Sequence, residues 1–251
     1  MKIFLSMPIL DRPELNSFFS VYQSMLTCPK HQVRIYFNHG DSLVSRARTY
    51  AISAFINDFP DYDYFISVDS DLEIINCYPN NNIFEKLIAH DLDFVGGLYA
   101  VKKEGVRRCS SITMDLTEPQ FDTGLIEMRW LSTGCWCLKR SAIEKMIKAY
   151  PELTFNGDDV MANKIAYGLY LPMLYDLKEG DFPGVKPPRK KLLSEDWSWC
   201  QRWREIGGKI YADSSLVLNH IGRSSYKLWN VEVVKQDRSL PPPPGFDLEK
   251  K

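Results

Sequence analysis

Strand-like and helix-like segments alternate through the first half of the chain, and this alternation constrains the fold more than any other feature. Short, mostly apolar runs predict four strands, at residues 2–9, 32–38, 63–68 and 93–101. Between them, apolar residues recur at helical spacing and predict helices that begin near Pro13, at residue 43 and at residue 83. Strands that alternate with helices usually form parallel sheets, so this order predicts an α/β fold with a mainly parallel central sheet flanked by helices.

The second half of the chain is less regular. Further apolar segments predict short strands, at residues 107–114, 125–131, 134–140, 209–213 and 216–220. Two more helices are predicted, at 141–150 with Ser141 as N-cap and at 194–208 with Ser194 as N-cap. Residues 151–193 contain Pro, Gly and Asp residues that interrupt regular patterns, so a loop-like region is predicted there. The proline-rich residues 239–251 predict a tail or linker.

Charge and cysteine content exclude several classes of protein. The formal net charge of −1 argues against a general nucleic-acid binder, which usually has a strong basic excess. Six cysteines in 251 residues, without zinc-site spacing, predict reduced thiols in a cytoplasmic protein. The apolar N-terminal run is interrupted by Pro8, and no later run reaches about 20 apolar residues, so neither a signal peptide nor a transmembrane segment is predicted.

Three Asp-x-Asp triplets occur in the chain, and their contexts differ. Asp61/Asp63 and Asp91/Asp93 precede strands and are typical of turns, whereas Asp69/Asp71 follows the apolar strand DYFISV. Ligands of open parallel sheets bind at the carboxyl ends of the strands. Two carboxylates facing one space repel by about 3 kcal/mol at ~5 Å and an effective dielectric near 20. A divalent cation such as Mg²⁺ or Mn²⁺ would remove that repulsion, although two solvated aspartates at a strand end remain the simpler alternative.

Four segments together resemble a known family. The stretches SRARTYAISAF, DYFISVDSDLEI, LSEDWSWCQRWREIGGKIYAD and LNHIG occur in the order found in nucleotide-sugar glycosyltransferases of the GT-A fold, nearest to small bacterial and large-DNA-virus members. The resemblance covers roughly residues 1–226. It implies a Rossmann-like, mainly parallel sheet in one GT-A domain over 1–238, with a donor half at about 1–104. The acceptor half, about 105–238, would contain a smaller antiparallel portion.

The resemblance also implies how the donor would be held. Asp69 and Asp71 would hold a divalent metal (Mn²⁺ or Mg²⁺) that bridges the two phosphates of a nucleoside-diphosphate sugar, with His220 of LNHIG as a further ligand. The other implied donor contacts are Ser70 at the ribose, Pro8 and Asp11 at the base, and Arg46 or Arg48. Thr49 departs from the family, which often has Asn there, and leaves the exact contact of this helix open.

In inverting members of the family, the second acidic residue of the helix start acts as base, which assigns Asp196 as the general base and Glu195 as its substitute. A carboxylate in the first helical turn is favoured in its ionised form, although Ser-Glu-Asp is also ordinary helix-start chemistry. Trp136 suits stacking on a sugar face, but aromatic residues are more often core. Gly96 and Gly97 allow a close backbone approach, to a sugar or at a bulge.

Two other functions remain open from the sequence. A non-catalytic nucleotide-sugar-binding domain would keep the same fold. An aspartyl-nucleophile phosphatase also uses Asp-x-Asp, but after the first strand, whereas here the motif follows the third and Leu72-Glu73 come next. A weaker similarity to mannan-polymerase-type mannosyltransferases favours retention rather than inversion. The donor sugar, the glycan or glycoprotein acceptor and the oligomeric state are not predicted.

Overall fold

A computed structural model describes residues 1–103, 108–115, 124–181, 188–222 and 225–226. The predicted boundary near residue 104 and the proline-rich tail at 239–251 lie outside these residues. The described part of the chain forms five α-helices: α1 (Leu15–Leu26), α2 (Val44–Asp58), α3 (Ile83–Ala89), α4 (Arg140–Ala149) and α5 (Glu195–Glu205). None of these helices has the length and apolar content needed to cross a membrane.

Strands account for most of the other regular structure. In chain order the described strands are β1 (Lys2–Ile9), β2 (Gln32–His39), β3 (Tyr64–Val68), β4 (Leu72–Ile74), β5 (Cys77–Tyr78), β6 (Asn81–Asn82), β7 (Phe94–Gly97), β8 (Ile112–Thr113), β9 (Leu125–Trp130), β10 (Cys135–Lys139), β11 (Thr154–Asn156), β12 (Ile165–Tyr167), β13 (Met173–Asp176), β14 (Lys190–Leu193), β15 (Tyr211–Asp213), β16 (Leu218–Ile221) and β17 (Ser225–Tyr226).

The central sheet has eight strands in the order β2-β1-β3-β10-β7-β15-β9-β8. β1 pairs in parallel with β2 and β3, and β7 in parallel with β15, while β10 and β9 are antiparallel to their neighbours. Only β10 and β9 therefore run against the other strands. The predicted α/β fold with a mainly parallel, Rossmann-like sheet is confirmed.

The helices cover both faces of this sheet. Apolar residues of α2, α4 and α5 pack on one face, and those of α1 and α3 pack on the other. Successive side chains of β3 alternate between the two faces, so Phe65 joins the first cluster and Ile66 the second. This double coverage explains why DYFISV is continuously apolar.

Several predicted boundaries were wrong. The 151–193 region is not loop-like where it is described, because it contains two antiparallel hairpins, β11–β12 and β13–β14. The strand expected at 107–114 is reduced to Ile112–Thr113 among its described residues. β4 was missed, and it pairs with β16 directly after the Asp-x-Asp triplet. Ser141 is exposed inside α4, whose N-cap is Lys139, because Arg140 already has helical geometry.

The face of α1 that packs against the rest of the protein is not its apolar face. Its apolar residues recur at helical spacing, and such a stripe normally faces the core. Here Leu15 and Phe19 are 67% and 52% exposed, while the buried face consists mainly of serines. Ser20 Oγ accepts a hydrogen bond from Ile74 N at 2.8 Å and donates to Ser17 O at 2.9 Å. Small side chains whose hydroxyls are hydrogen-bonded let this helix lie directly against β4.

Gly96 and Gly97 have a packing role in β7. A Cβ at Gly96 would lie 2.4 Å from Cys135 O, and one at Gly97 would lie 2.6 Å from Leu218 Cδ1. β10 and β16, rather than a sugar, therefore make the close approach to these two glycines. The pairing of β7 with β10 and β15 is continuous, so no bulge is needed to explain the two glycines.

We expect Ser20→Ala to lower the free energy of unfolding by about 1–3 kcal/mol, because it leaves the buried Ile74 N–H without its acceptor. Ser141→Ala is the matched control and should change stability little, because Ser141 is exposed and caps no helix. Chemical denaturation measures both values. Equal stability of the two variants would show that the serine face does not anchor α1.

Candidate active site

The Asp-x-Asp triplet lies at the carboxyl edge of the sheet, where β3 ends. Asp69 N donates to Gly134 O at 2.9 Å, and Ser70 O accepts from Glu14 N at 2.8 Å. Asp71 O accepts from Ile221 N at 2.8 Å, which ties the triplet to β16. Backbone hydrogen bonds to three separate segments therefore fix the positions of the two carboxylates.

Asp69 forms a buried ion pair with Arg48 of α2. The Arg48 side chain is 6% exposed, and its Nη2 lies 2.8 Å from Asp69 Oδ1 and donates to Oδ2 at 3.1 Å. Its Nε lies 3.6 Å from Glu195 Oε1. Burial opposes the charged guanidinium, but the Asp69 and Glu195 carboxylates outweigh it and raise the pKa of Arg48 above its ordinary value. α2 thus supplies a permanent cation that joins β3 to the start of α5.

Asp71 has different partners from Asp69. His220 Nε2 lies 3.6 Å from Asp71 Oδ1, and Lys102 forms an ion pair with Oδ2. Burial raises the pKa of Asp71, but His220 and Lys102 outweigh this effect and lower it to about 2. His220 Nδ1 lies 2.8 Å from Ala100 O, which can only accept, so Nδ1 carries a proton and donates it, and Nε2 is the ring nitrogen that faces Asp71.

Glu195 and Asp196 lie in the first turn of α5, whose N-cap is Ser194 as predicted. Trp197 N donates to Asp196 Oδ1 at 2.8 Å, and the Ser194 hydroxyl donates to the same oxygen. Burial nevertheless raises the pKa of Asp196 above its ordinary value. Burial also raises the pKa of Glu195, with a further contribution from the charge of Asp196. The backbone N–H groups of the helix start lower the pKa of Asp196, as expected, but desolvation outweighs them.

The remaining sequence-predicted residues lie at different distances from this cluster. Arg46 is paired with Asp41 at the surface, so only Arg48 of the two arginines reaches the carboxylates. Pro8 is half-buried near the carboxyl end of β1, and Asp11 is exposed just beyond it. Trp136 is fully buried in the core, where its indole N–H donates to Ser132 O at 2.8 Å. Trp136 therefore offers no accessible face to a sugar.

Three residues of this edge were missed by sequence reasoning. Tyr99 Oη accepts from Gly134 N at 2.9 Å, and burial, with the nearby Asp69 and Asp196 carboxylates, raises its pKa well above the ordinary value. Tyr170 is fully buried close to Arg48, and its Oη has no hydrogen-bond partner among the described residues. Lys102 follows the predicted strand at 93–101, so its position at a strand end could have identified it as a candidate from the sequence.

The residues present fit a divalent cation only in part. No three His, Cys, Asp or Glu side chains form a ready-made metal centre within the described ranges. Asp71 and His220 nevertheless offer one oxygen and one nitrogen ligand close together. Asp69 is engaged by Arg48, whose Nη2 lies 2.8 Å from Oδ1, so Asp69 is a less available ligand than Asp71. Two or three protein ligands suit Mg²⁺, which usually completes its shell with phosphates and water.

A cleft of about 560 Å³ lies at the opposite edge of the sheet, around Met1, Gln32 and Asp63. None of the carboxylates described above lines it, and its polar groups come from the starts of the strands. Ligands of open α/β sheets bind at the carboxyl ends, so the Asp69–Asp71 edge is the better candidate for chemistry.

No protein-family model matches the chain, and no curated protein matches it. The fold is similar to the crystal structure of A197 from STIV, with a TM-score of 0.53 and 18% identity over 92% of this chain and 95% of that one. At this identity the likeness concerns the fold alone.

Two further structures are less similar. One is a glycosyltransferase involved in the glycosylation of the major capsid of PBCV-1, with a TM-score of 0.36 and 12% identity over 60% of this chain and 66% of that one. The other is an apo UDP-glucose pyrophosphorylase, with a TM-score of 0.37 and 10% identity over 75% of this chain and 59% of that one. These scores carry no argument about function.

We expect Arg48→Met to lower the free energy of unfolding by about 3–5 kcal/mol, because it leaves the largely buried carboxylates of Asp69 and Glu195, 22% and 18% exposed, without their cation. Arg46→Met, two residues away on the same helix, is the control and should lower it by only about 0–1 kcal/mol, since Arg46 is 46% exposed and its ion pair with Asp41 lies at the surface. Denaturant unfolding of both variants measures the difference. A similar loss in both would contradict a central role for the Arg48–Asp69 pair.

Proposed function

We propose that this chain is a metal-dependent glycosyltransferase of the GT-A type, which moves a sugar from a nucleoside-diphosphate sugar to a hydroxyl group of a glycan or glycoprotein acceptor. The observation that carries the proposal is the convergence of two acidic pairs at the carboxyl edge of the sheet, Asp69/Asp71 after β3 and Glu195/Asp196 at the start of α5. One pair suits the diphosphate side of the reaction and the other suits the acceptor side.

Charge supports binding of a divalent cation with the donor. Among the described residues, four carboxylates of this edge face the cations Arg48 and Lys102, which leaves this set a formal charge of −2 when His220 is neutral. In the proposed complex, Asp71 and His220 would hold Mn²⁺ or Mg²⁺, with Asp69, which Arg48 orients, as the third ligand. The ion would act as a Lewis acid for the leaving diphosphate.

Residues of the chain would orient the rest of the donor. Lys102 is paired with Asp71. With a cation bound to that carboxylate, the Lys102 ammonium group would be available to bind a phosphate of the donor. Arg48 would hold Asp69 in one orientation. Ser70, whose carbonyl accepts from Glu14 N at the start of α1, would contact the ribose. Pro8 and Asp11, at the neighbouring end of β1, are the proposed contacts of the base.

Asp196 is the proposed general base in an inverting reaction. Its described hydrogen bonds, from Trp197 N and the Ser194 hydroxyl, both reach Oδ1, so Oδ2 is left to accept the proton of the acceptor hydroxyl. A pKa raised by burial makes this carboxylate a stronger base at the operating pH. Glu195 is less suitable because its carboxylate interacts with Arg48.

Donor binding should depend on the metal. We expect a UDP-, GDP- or dTDP-sugar to raise the melting temperature only when Mn²⁺ or Mg²⁺ is present, because the carboxylates repel the diphosphate otherwise. Asp71→Asn and His220→Ala should each abolish the metal-dependent part, whereas Asp93→Asn, at an exposed Asp-x-Asp, should not. A shift without metal, or one that survives Asp71→Asn, would contradict the assignment. Binding without any release of nucleoside diphosphate would favour a non-catalytic domain, and hydrolysis of simple phosphate esters would favour a phosphatase.

The rate of sugar transfer should fall at acidic pH. Asp196 acts as base only when deprotonated, so activity is present above its folded pKa and is lost as the pH falls through it. Since burial raises that pKa, the midpoint should lie above the ordinary aspartate value of about 3.9. The pH profile of nucleoside diphosphate release measures it. Asp196→Asn should abolish transfer while donor binding persists; if only Glu195→Gln abolishes it, Glu195 is the base.

A further inference from the structure

α1 carries a continuous apolar surface that no described part of the chain covers. We call this surface the α1 stripe, and it consists of Leu15, Phe18, Phe19, Tyr22 and Leu26. Four of its side chains are strongly exposed: Leu15 by 67%, Phe19 by 52%, Tyr22 by 51% and Leu26 by 61%. On the opposite, serine-rich face, Ser20 Oγ accepts from Ile74 N of β4 and Ser17 Oγ donates to Asp69 O, so the helix cannot rotate the α1 stripe inward without losing these hydrogen bonds.

The α1 stripe adjoins an unprotected sheet edge. β2 is the end strand of the central sheet and, within the described ranges, pairs only with β1. It has eight residues, contains no proline, and its single Lys or Arg is Arg34, whose guanidinium lies over the Phe59 ring 4.9 Å from its centroid. Phe37 of β2 is 43% exposed and stacks with Phe18 at 6.2 Å. Edge strands are normally blocked by charges, prolines, bulges or a covering element, because a bare edge pairs with other chains.

We propose that a second copy of this chain covers both features, with the two β2 edges paired antiparallel about a twofold axis and the two α1 stripes packed on each other. The central sheet would then continue from one protomer into its partner.

Charge favours a second copy over a membrane surface. The twelve residues of α1, LNSFFSVYQSML, include no Asp, Glu, Lys or Arg. Near a twofold axis each residue meets its own copy, so a charged helix would repel itself there and an uncharged one does not. A helix that lies on a membrane usually presents Lys and Arg on its polar face, and α1 has none, with small buried serines there instead.

The exposed area is of the size that an interface needs. An aromatic side chain has roughly 150–250 Å² of surface, so each half-exposed aromatic of the α1 stripe offers about 100 Å² for burial. With Leu15, Leu26, Phe37 and the outer edge of β2, the buried surface approaches the ~800 Å² per partner of a standard interface.

Sedimentation velocity of the full chain over a range of concentrations tests the proposal. We expect the wild type to be dimeric and Leu15→Glu to be monomeric, with a dissociation constant raised by about 100-fold or more. Leu192→Glu is the matched control, because Leu192 is exposed to the same degree (66% against 67%) but lies in β14; it should remain dimeric. Tyr22→Glu is a second variant of the α1 stripe, and melting temperatures close to the wild type verify that each variant folds.

Other results would overturn the proposal. A wild type that stays monomeric at high concentration, or a Leu15→Glu variant that still dimerises, would show that a second copy does not bind the α1 stripe. Hydrogen exchange supplies an independent readout: the amides of β2 should exchange faster on dilution. If their exchange is slow at every concentration, a segment of the same chain covers the edge. Flotation of the wild type with uncharged phosphatidylcholine vesicles, lost in Leu15→Glu, would identify a membrane as the occupant and contradict a second copy.

Discussion

The buried ion pair between Arg48 and Asp69 is the interaction on which the candidate site depends. Arg48 projects from α2, Asp69 ends β3, and Glu195 opens α5, so one guanidinium joins three elements that are far apart in the sequence. A buried guanidinium keeps its charge, so it destabilises the fold unless carboxylates face it. The same contact therefore stabilises the packing of α2 and α5 on the sheet and fixes the orientation of the first aspartate of the triplet.

Asp71 is held by a second, separate set of contacts. Its carbonyl accepts from Ile221 N, and this hydrogen bond aligns β16 so that His220 faces the Asp71 carboxylate. The two aspartates of the triplet thus avoid mutual repulsion by taking different cationic partners. Lys102 pairs with Asp71 Oδ2 while His220 lies next to Oδ1, so the two carboxylate oxygens face different groups.

Most of the fold could be predicted from sequence because apolar periodicity records burial directly. The strands at 2–9, 32–38 and 63–68 and the helices at 43–58 and 194–208 agree with the structure closely. α1 shows where this logic stops. Its apolar spacing identified a helix, yet Ser17, Ser20 and Ser24 are buried and the apolar side is left to solvent. Their hydroxyls donate to backbone carbonyls, and Ser20 Oγ also accepts from Ile74 N of β4. The hairpins within 151–193 were missed because their strands have only three or four residues and alternate weakly.

By itself, the sequence determined the five described helices and the main strands of the central sheet, and that one Asp-x-Asp ends a buried strand, since both follow from local spacing. It also provided the acidic pair at the start of α5. Only the tertiary structure decided that Arg48 rather than Arg46 faces Asp69, that Lys102 and Tyr99 join the carboxylates, and that Trp136 is core. The physical reason is that these contacts join residues distant in the chain, and burial, which also sets the raised pKa of Asp196, arises only when the elements pack together.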